Sequence, residues 1–153
     1  MVTQANESLR VAVFGTGGVG GYFGGLLARG EHDVTFIARG THLNAIKENG
    51  LRVESQLDGP FVVHGNATSN TADVGEQDLV LFTVKMYHNS DALDSLKPLI
   101  GPNTVVLTLQ NGIDNGDILA EVVGEVRIMI GSDYMEGRVS QPGTVTPGGA
   151  GPV

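Results

Sequence analysis

Five short runs of apolar, largely β-branched residues divide the chain, and each is flanked by polar or glycine-rich segments. Runs of this length, with apolar residues at consecutive positions, are typical of strands that are buried on both faces of a sheet. They predict strands over residues 9–15, 34–38, 79–84, 104–109 and 127–131.

Between these runs, apolar residues recur at every third or fourth position, which is the spacing of a helix with one buried face. We expect Thr41 to cap the second helix, and Gly30 and Gly50 to end the first two. Pro98 should stop the third, because proline cannot continue a helix. The predicted helices cover residues 18–29, 41–49, 91–99 and 114–123.

Strands that alternate with helices favour a parallel sheet with helices on both faces. The predicted fold is therefore α/β, Rossmann-like and doubly wound, with a mainly parallel sheet. Residues 51–72 depart from the alternation, since two short strand candidates, 51–54 and 61–64, surround the turn-forming sequence Asp58-Gly59-Pro60. We expect this segment to be an insertion or an edge hairpin.

The end of the chain also departs from the alternation. Gln141-Pro142-Gly143 separates two β-prone pieces and predicts a C-terminal β-hairpin, whose second arm begins at Thr144. The sequence suggests no partner for that arm. The chain is therefore expected to be a fragment cut within a connection to further sequence, with a frayed natural end as the alternative.

Composition limits the function more than it limits the fold. The 153 residues are 41% apolar and 17% charged, which suits one compact domain. The net charge of −8 disfavours nucleic acid and anionic membranes as partners. No apolar run approaches the ~20 residues of a membrane span, and the polar residues 1–8 are expected to be a disordered N-terminal segment. We expect a cytoplasmic protein.

A glycine-rich loop stands between the first predicted strand and the first predicted helix. In its G-x-G-x-x-G spacing, the first glycine permits a tight turn, the second admits a diphosphate close to the backbone, and the third lets the helix pack closely on the strand. The helix N-terminus offers free N–H groups and a partial positive charge to the phosphates. The predicted dinucleotide-binding residues are Gly15, Thr16, Gly17, Gly18, Val19 and Gly20.

Three further glycines, Gly21, Gly24 and Gly25, fall inside the same helix. Glycine in a helix interior costs ~1 kcal/mol relative to alanine. We therefore expect this helix to approach the sheet or another surface closely. A flexible glycine linker is the alternative interpretation of the loop and these glycines.

The residue that follows the second strand indicates which dinucleotide is bound. An Asp or Glu at this place commonly binds the ribose 2′-hydroxyl of NAD, but this chain carries Arg39, while Glu31 and Asp33 lie at the other end of the strand. A guanidinium can pair with a 2′-phosphate. We therefore predict NADPH as the cofactor, with a solvated surface charge as the alternative role of Arg39. His42 could assist, or could simply lie on the helix face.

Two more polar residues follow predicted strands, at the edge of the sheet where ligands bind in such folds. Lys85 could pair with a phosphate or a substrate carboxylate, and Asn111 could hydrogen-bond a substrate or a ribose oxygen. A lone loop lysine is more often solvated than functional. The four histidines have no metal-ligand spacing, no cysteine is present, and serine-hydrolase and P-loop motifs are absent, so we expect no metal.

Several of these motifs, in this order, resemble the N-terminal domain of the ketopantoate reductase (2-dehydropantoate 2-reductase) family. The resemblance covers residues 9–153 and is more specific than a glycine loop alone. It rests on residues 11–20, on residues 34–40 with their ending Ala38-Arg39-Gly40, on Glu48-Asn49-Gly50-Leu51, on Val84-Lys85-Met86-Tyr87 and on Leu109-Gln110-Asn111-Gly112-Ile113, with the Gln-Pro-Gly hairpin.

This resemblance implies NADPH-dependent reduction of a small 2-oxo acid, 2-dehydropantoate, to (R)-pantoate in pantothenate and coenzyme A biosynthesis. It implies that the glycine loop and Arg39 hold the cofactor, and that Lys85 and Asn111 contact cofactor and substrate. The family's catalytic lysine belongs to a helical C-terminal domain, so no catalytic residue is predicted here. Residues 9–153 would be the NADP-binding domain, and the chain alone is expected to turn over substrate poorly or not at all.

Two other functions remain open at this point. One is an NADP-dependent dehydrogenase for another 2-oxo acid, because most of the substrate pocket would lie outside the matched domain. The other is a non-catalytic nucleotide-sensing domain of the same fold. The sequence also leaves open whether the chain forms a homodimer.

Overall fold

The computed structural model describes residues 7–84, 89–109, 115–124, 127–133 and 135–148. The strands in these residues are β1 (Arg10–Phe14), β2 (Asp33–Ile37), β3 (Leu51–Ser55), β4 (Gly59–Val63), β5 (Asn66–Thr68), β6 (Leu79–Phe82), β7 (Val105–Thr108), β8 (Ile128–Ile130), β9 (Glu136–Gln141) and β10 (Thr144–Gly148). The helices are α1 (Gly18–Arg29), α2 (Gly40–Asn49), α3 (Asn89–Leu96) and α4 (Asn115–Val123).

The main sheet has six parallel strands in the order β5-β2-β1-β6-β7-β8. From β1 the chain first moves outward through β2 and later returns to the other side at β6. The strand order therefore reverses between β1 and β6, as in a doubly wound sheet. This confirms the predicted Rossmann-like fold.

A hydrophobic core lies on each face of this sheet. Alternate residues of a strand point to opposite faces, so Val13 packs toward α1 and α2 whereas Phe14 packs toward α3 and α4. Phe14 stacks on Phe82 with 5.5 Å between ring centroids. Because both faces are covered, the strands have the continuous apolar runs that made them visible in the sequence.

A second sheet, with the order β4-β3-β10-β9, covers the outer side of α1. Its two hairpins join through β3 and β10, which run parallel and pair Arg52 with Thr144. The C-terminal hairpin is confirmed, and the unidentified partner of its second arm is β3. The predicted edge hairpin is confirmed for β3 and β4, since they pair antiparallel and β4 lies at the edge of the second sheet. The rest of residues 51–72 does not belong to it, because β5 extends the main sheet beside β2.

Three helix ends differ from the predictions. α2 begins at Gly40 with Arg39 as the N-cap residue, so Thr41 lies inside the helix rather than capping it. Gly30 has φ −78°, and the left-handed residue at the end of α1 is Glu31, φ 67°, whose N–H donates to Ala28. α3 ends at Leu96 and continues as a 3₁₀ turn over Lys97–Leu99, because the ring of Pro98 obstructs an α-helical turn.

One further helix end agrees with its prediction, and most of the predicted N-terminal segment lies outside the described residues. Gly50 ends α2 as predicted, with φ 79°. Residues 1–6 lie outside the described residues, and the Ser8 hydroxyl donates to the Glu31 carbonyl at 3.1 Å. Among the described helices, none is both long and apolar enough to cross a membrane.

Candidate functional site

A cleft of about 340 Å³ opens at the carboxyl ends of β1, β2 and β6, where the strand order reverses. Ligands of doubly wound folds bind at this point of the sheet, and the volume is within the range of small-molecule sites. One wall is the loop between β1 and α1, with Gly15, Thr16 and Gly17. Arg39 and His42 from the start of α2 line the cleft beside it.

The glycine loop is held by hydrogen bonds to both neighbouring strands. Thr16 is buried, and its backbone N–H and its hydroxyl both donate to the Ile37 carbonyl at the end of β2, at 3.1 and 3.0 Å. On the other side, the Thr83 hydroxyl donates to the Gly15 carbonyl at 2.7 Å. Gly15 itself has φ 107°, which only glycine adopts without strain. These hydrogen bonds hold the loop between the ends of β2 and β6.

The glycines of α1 let the helix fit between the two sheets. A Cβ at Gly24 would lie 2.5 Å from a Val13 methyl of the main sheet. A Cβ at Gly21 would lie 2.7 Å from a Val145 methyl of the second sheet, and one at Gly18 would overlap the backbone of Gly137 in β9. The expected close approach is confirmed, and α1 makes it on two sides rather than one.

The first N–H groups of α1 have no hydrogen-bond partner within the described part of the chain. Gly17 is the N-cap residue, no side chain caps the helix, and the first turn contains no acidic residue. The first N–H groups of a helix lack partners within the helix, and they carry a partial positive charge. Because Gly17 lines the cleft, an anionic ligand there would approach this helix N-terminus.

The charge of the cleft is opposite to that of the whole chain. Although the net charge is −8, no carboxylate is among the described residues that line the cleft, and Arg39 is the cation there. The Arg39 guanidinium is exposed and has no ion-pair partner within the described part of the chain. Asp33 lies at the opposite end of β2, as the sequence indicated. Arg39 is therefore available to an anionic group.

His42 lies in the first turn of α2, and each ring nitrogen has a hydrogen bond. Nε2 lies 2.8 Å from the Thr16 carbonyl oxygen, and the Gly143 N–H donates to Nδ1 at 2.9 Å. A carbonyl can only accept, so Nε2 carries the proton and the ring is neutral. Burial lowers the pKa of His42 below its usual value, and the bond to Thr16 opposes this shift only in part.

The predicted site residues fall into three groups. Four of them line the cleft together: Gly15, Thr16, Gly17 and Arg39. Gly18, Val19 and Gly20 form the first turn of α1 and do not line the cleft; a Cβ at Gly20 would overlap the Gly15 carbonyl oxygen. Lys85 and Asn111 lie outside the described residues. Contact of any of these residues with a cofactor stays a prediction.

Sequence reasoning did not identify several residues that shape the cleft. Thr83 fixes the Gly15 carbonyl, and its position directly after β6 could have suggested a role at this edge. Ser69, Thr71 and Ser95 form the far wall, and the Thr71 hydroxyl donates to the Ser95 carbonyl at 2.6 Å. These small polar residues belong to no motif, so only the fold brings them together.

Comparison with known proteins agrees with the fold and with the motifs. The model of the family described as ketopantoate reductase PanE/ApbA matches residues 11–153. The 2-dehydropantoate 2-reductase of Pyrococcus horikoshii is 36% identical over 144 residues, which are 94% of this chain and 46% of that protein. The chain thus spans about half the length of this curated relative.

Solved structures give the same result. The 2-dehydropantoate 2-reductase of Geobacter metallireducens has a TM-score of 0.87 and 38% identity, over 93% of this chain and 47% of that one. A D-mandelate dehydrogenase solved with NADH and anilino(oxo)acetate has a TM-score of 0.82 and 27% identity, over 92% and 46%. Fold, motifs and family match agree, and the chain belongs to the ketopantoate reductase PanE/ApbA family of oxidoreductases.

Proposed function

We propose that this chain binds NADPH in the cleft and forms the cofactor-binding part of a 2-dehydropantoate 2-reductase. One observation carries the proposal: the N-terminus of α1 and the Arg39 side chain lie at the same cleft, and no described carboxylate lines that cleft. The N–H groups suit a diphosphate, and the guanidinium suits a second phosphate on the adenosine ribose. When bound, NADPH supplies the hydride that reduces a carbonyl group.

The substrate part of the proposal rests on the relatives. The Pyrococcus and Geobacter proteins are named 2-dehydropantoate 2-reductases, which supports a 2-oxo acid as the proposed substrate class and pantoate as the proposed product. Lys85 and Asn111 are proposed to contact cofactor and substrate, by their match to the family's motifs. A cytoplasmic location and a homodimer are further predictions of the same kind.

A second candidate differs in cofactor and substrate. The D-mandelate dehydrogenase neighbour holds NADH and anilino(oxo)acetate, so a similar domain serves a dehydrogenase with another cofactor and another ligand. Arg39 favours NADPH over NADH here, because a guanidinium with no ion-pair partner in the described part of the chain binds a 2′-phosphate more strongly than a 2′-hydroxyl. Loss of nicotinamide absorbance, followed in the natural gene product with 2-dehydropantoate and with phenylglyoxylate, would separate the two substrates.

The cofactor assignment is tested by calorimetric titration with NADPH and NADH. Arg39→Gln removes one charge-assisted contact, so it should weaken NADPH binding by about 1.5–3 kcal/mol and NADH binding far less. Arg10→Gln is the matched control, because it removes the same charge at the opposite end of the sheet, where Arg10 pairs with Asp78 at 3.0 Å. Equal losses for both cofactors would contradict the 2′-phosphate assignment, and no binding of either would contradict the proposed function.

A further inference from the structure

His42 connects the glycine loop and the turn of the C-terminal hairpin, which are far apart in the sequence but adjacent in space. The hydrogen bond from Gly143 spans 101 residues, and the one to Thr16 spans 26. Gly143 also packs against α2, since a Cβ there would lie 2.9 Å from the Ala45 methyl. The hairpin turn therefore holds the imidazole ring in place.

The ring in turn fixes one peptide plane of the glycine loop. Thr16 already donates its N–H and its hydroxyl to Ile37, and His42 binds its carbonyl oxygen. In a trans peptide the C=O and the following N–H point in opposite directions. Binding of the Thr16 carbonyl therefore directs the Gly17 N–H away from His42, and this N–H makes no hydrogen bond within the described part of the chain.

We propose that neutral His42, clamped by Gly143, is a positioning residue that holds the Thr16–Gly17 peptide in the orientation that binds a diphosphate. This inference rests on the dinucleotide binding proposed above. His42 acts through the loop, so it needs no contact with the cofactor. If the Thr16 carbonyl were released, the peptide could rotate and present a carbonyl oxygen to the phosphates instead of an N–H.

The surroundings of the ring favour the neutral form that this role requires. An imidazolium would lose the bond from Gly143, because both of its nitrogens are donors. It would also stand at the positive end of α2 and near Arg39, which lines the same cleft. The glycine loop and the turn at Pro142 and Gly143, which pack against the ring, contribute no ionisable side chain. Burial likewise lowers the pKa of His42.

Two amide substitutions test the two hydrogen bonds of the His42 ring one at a time, because each keeps one bond and removes the other. In His42→Gln, the amide nitrogen can take the place of Nε2 and donate to Thr16. In His42→Asn, the shorter amide oxygen can take the place of Nδ1 and accept from Gly143, but it cannot reach Thr16. NADP⁺ binding, measured calorimetrically near neutral pH, should weaken about tenfold in His42→Asn and no more than about threefold in His42→Gln.

The pH dependence of binding gives a readout that a merely structural role would not change. As pH falls from about 8 to about 5, the 2′-phosphate of NADP⁺ itself takes up a proton, so every variant should lose affinity. The wild-type chain should lose about threefold more than His42→Gln, because protonation of its imidazole removes the bond from Gly143 that holds the ring in place, whereas the glutamine amide does not titrate. Parallel pH profiles, or equal affinities of the two variants, would overturn the proposal.

A ligand-free measurement keeps the inference separate from the proposed function. The ¹⁵N resonances of the His42 ring should show the neutral Nε2–H tautomer at neutral pH, with the Gly143 amide shifting as the ring titrates. The opposite tautomer, or an imidazolium at neutral pH, would overturn the inference even if NADP⁺ binds well. Conversely, the predicted tautomer in a chain that binds no nicotinamide dinucleotide would contradict the proposed function and, with it, the positioning role.

Discussion

The two described cavities at opposite ends of the six-stranded sheet differ sharply in charge. At the carboxyl end, the cleft presents the glycine loop and Arg39, and no described carboxylate lines it. At the amino end, a second cavity of about 470 Å³ is lined by Asp33, Asp73 and Glu76, with Arg10 at its side. The two cavities are similar in size, so volume does not distinguish them. The fold and the local charge favour the carboxyl end for an anion.

This difference follows from the direction of the strands. Each helix that follows a strand begins at the carboxyl end of the sheet, so its free N–H groups and the positive end of its dipole lie there. Acidic residues at this end would neutralise that field. The acidic residues of the amino end, by contrast, can stabilise nearby cations, as Asp78 does when it accepts hydrogen bonds from the Arg10 side chain.

The largest expected effect comes from Gly18, where the second sheet contacts the start of α1. A Cβ at this position would overlap backbone atoms of Gly137, which cannot move aside as a flexible side chain could. Gly18→Ala should therefore destabilise the fold by more than about 3 kcal/mol, measured by chemical unfolding. A change below about 1 kcal/mol would contradict the close packing of the second sheet on the glycine loop.

Gly17→Ala is the matched substitution on the open side of the same loop. Gly17 has φ −90° and a Cβ there would meet nothing within 4 Å, so stability should change by less than about 1 kcal/mol. The added methyl group would nevertheless stand where a diphosphate approaches, and NADPH affinity should fall about tenfold or more. Unchanged affinity in a folded Gly17→Ala chain would contradict the location of the diphosphate.

Two substitutions on β5 compare the two ends directly. Ser69 follows the strand at the cleft, and Asn66 begins it at the acidic cavity. Ser69→Asp and Asn66→Asp each add one negative charge, so they change the net charge equally. Ser69→Asp should weaken NADPH binding by about 1 kcal/mol, and Asn66→Asp should have almost no effect. Equal effects would show that only the overall charge matters.

The smallest effect concerns acid stability at the amino end. Hydrogen bonds from Arg10 hold the pKa of Asp78 below its usual value. A lowered pKa contributes stability above the unfolded value near 3.8, and this stability is lost as pH falls through the folded pKa. Asp78→Asn should therefore lower the melting temperature slightly at pH 7, with the difference from wild type disappearing under acid. A difference that persists there would contradict this contribution.

The contributions of His42 and Asp78 to the free energy of unfolding should also be lost over different pH ranges. The pKa of His42 is lowered by burial, so its contribution is complete above the unfolded value of 6.5. That contribution declines as pH falls from 6.5 to the lowered folded pKa, whereas the Asp78 contribution declines only near 3.8 and below. Melting temperatures of His42→Gln and wild type should therefore converge in mildly acidic solution. If the two melting temperatures converged only in strong acid, the stability difference would not come from the titration of His42.

The sequence was sufficient for the parts of the fold that local pattern determines. The buried parallel strands and the glycine loop are encoded by consecutive residues, and α1 has the predicted bounds Gly18–Arg29. Arg39 could be identified because it lies two residues after β2, which places it at the carboxyl end of the sheet. In each case, the feature depends on residues that are close together in the sequence.

The parts that were missed depend on contacts between distant residues. The pairing of β3 with β10 joins residues 52 and 144, and no local pattern indicates it. The two roles of His42 likewise require Gly143 to reach the start of α2. Glu31 occupies the left-handed position beside Gly30, although glycine is the residue that usually takes it. Tertiary packing decided these features.

Amide chemical-shift mapping during an NADP⁺ titration of the ¹⁵N-labelled chain tests the central claim most directly. The account predicts large, saturable shifts at Gly15, Gly17 and Arg39, because the diphosphate and the 2′-phosphate would lie against these residues. It predicts none at Asp33 or Glu76, on the acidic end of the sheet. Shifts confined to the acidic end, or no saturable shift anywhere, would contradict it.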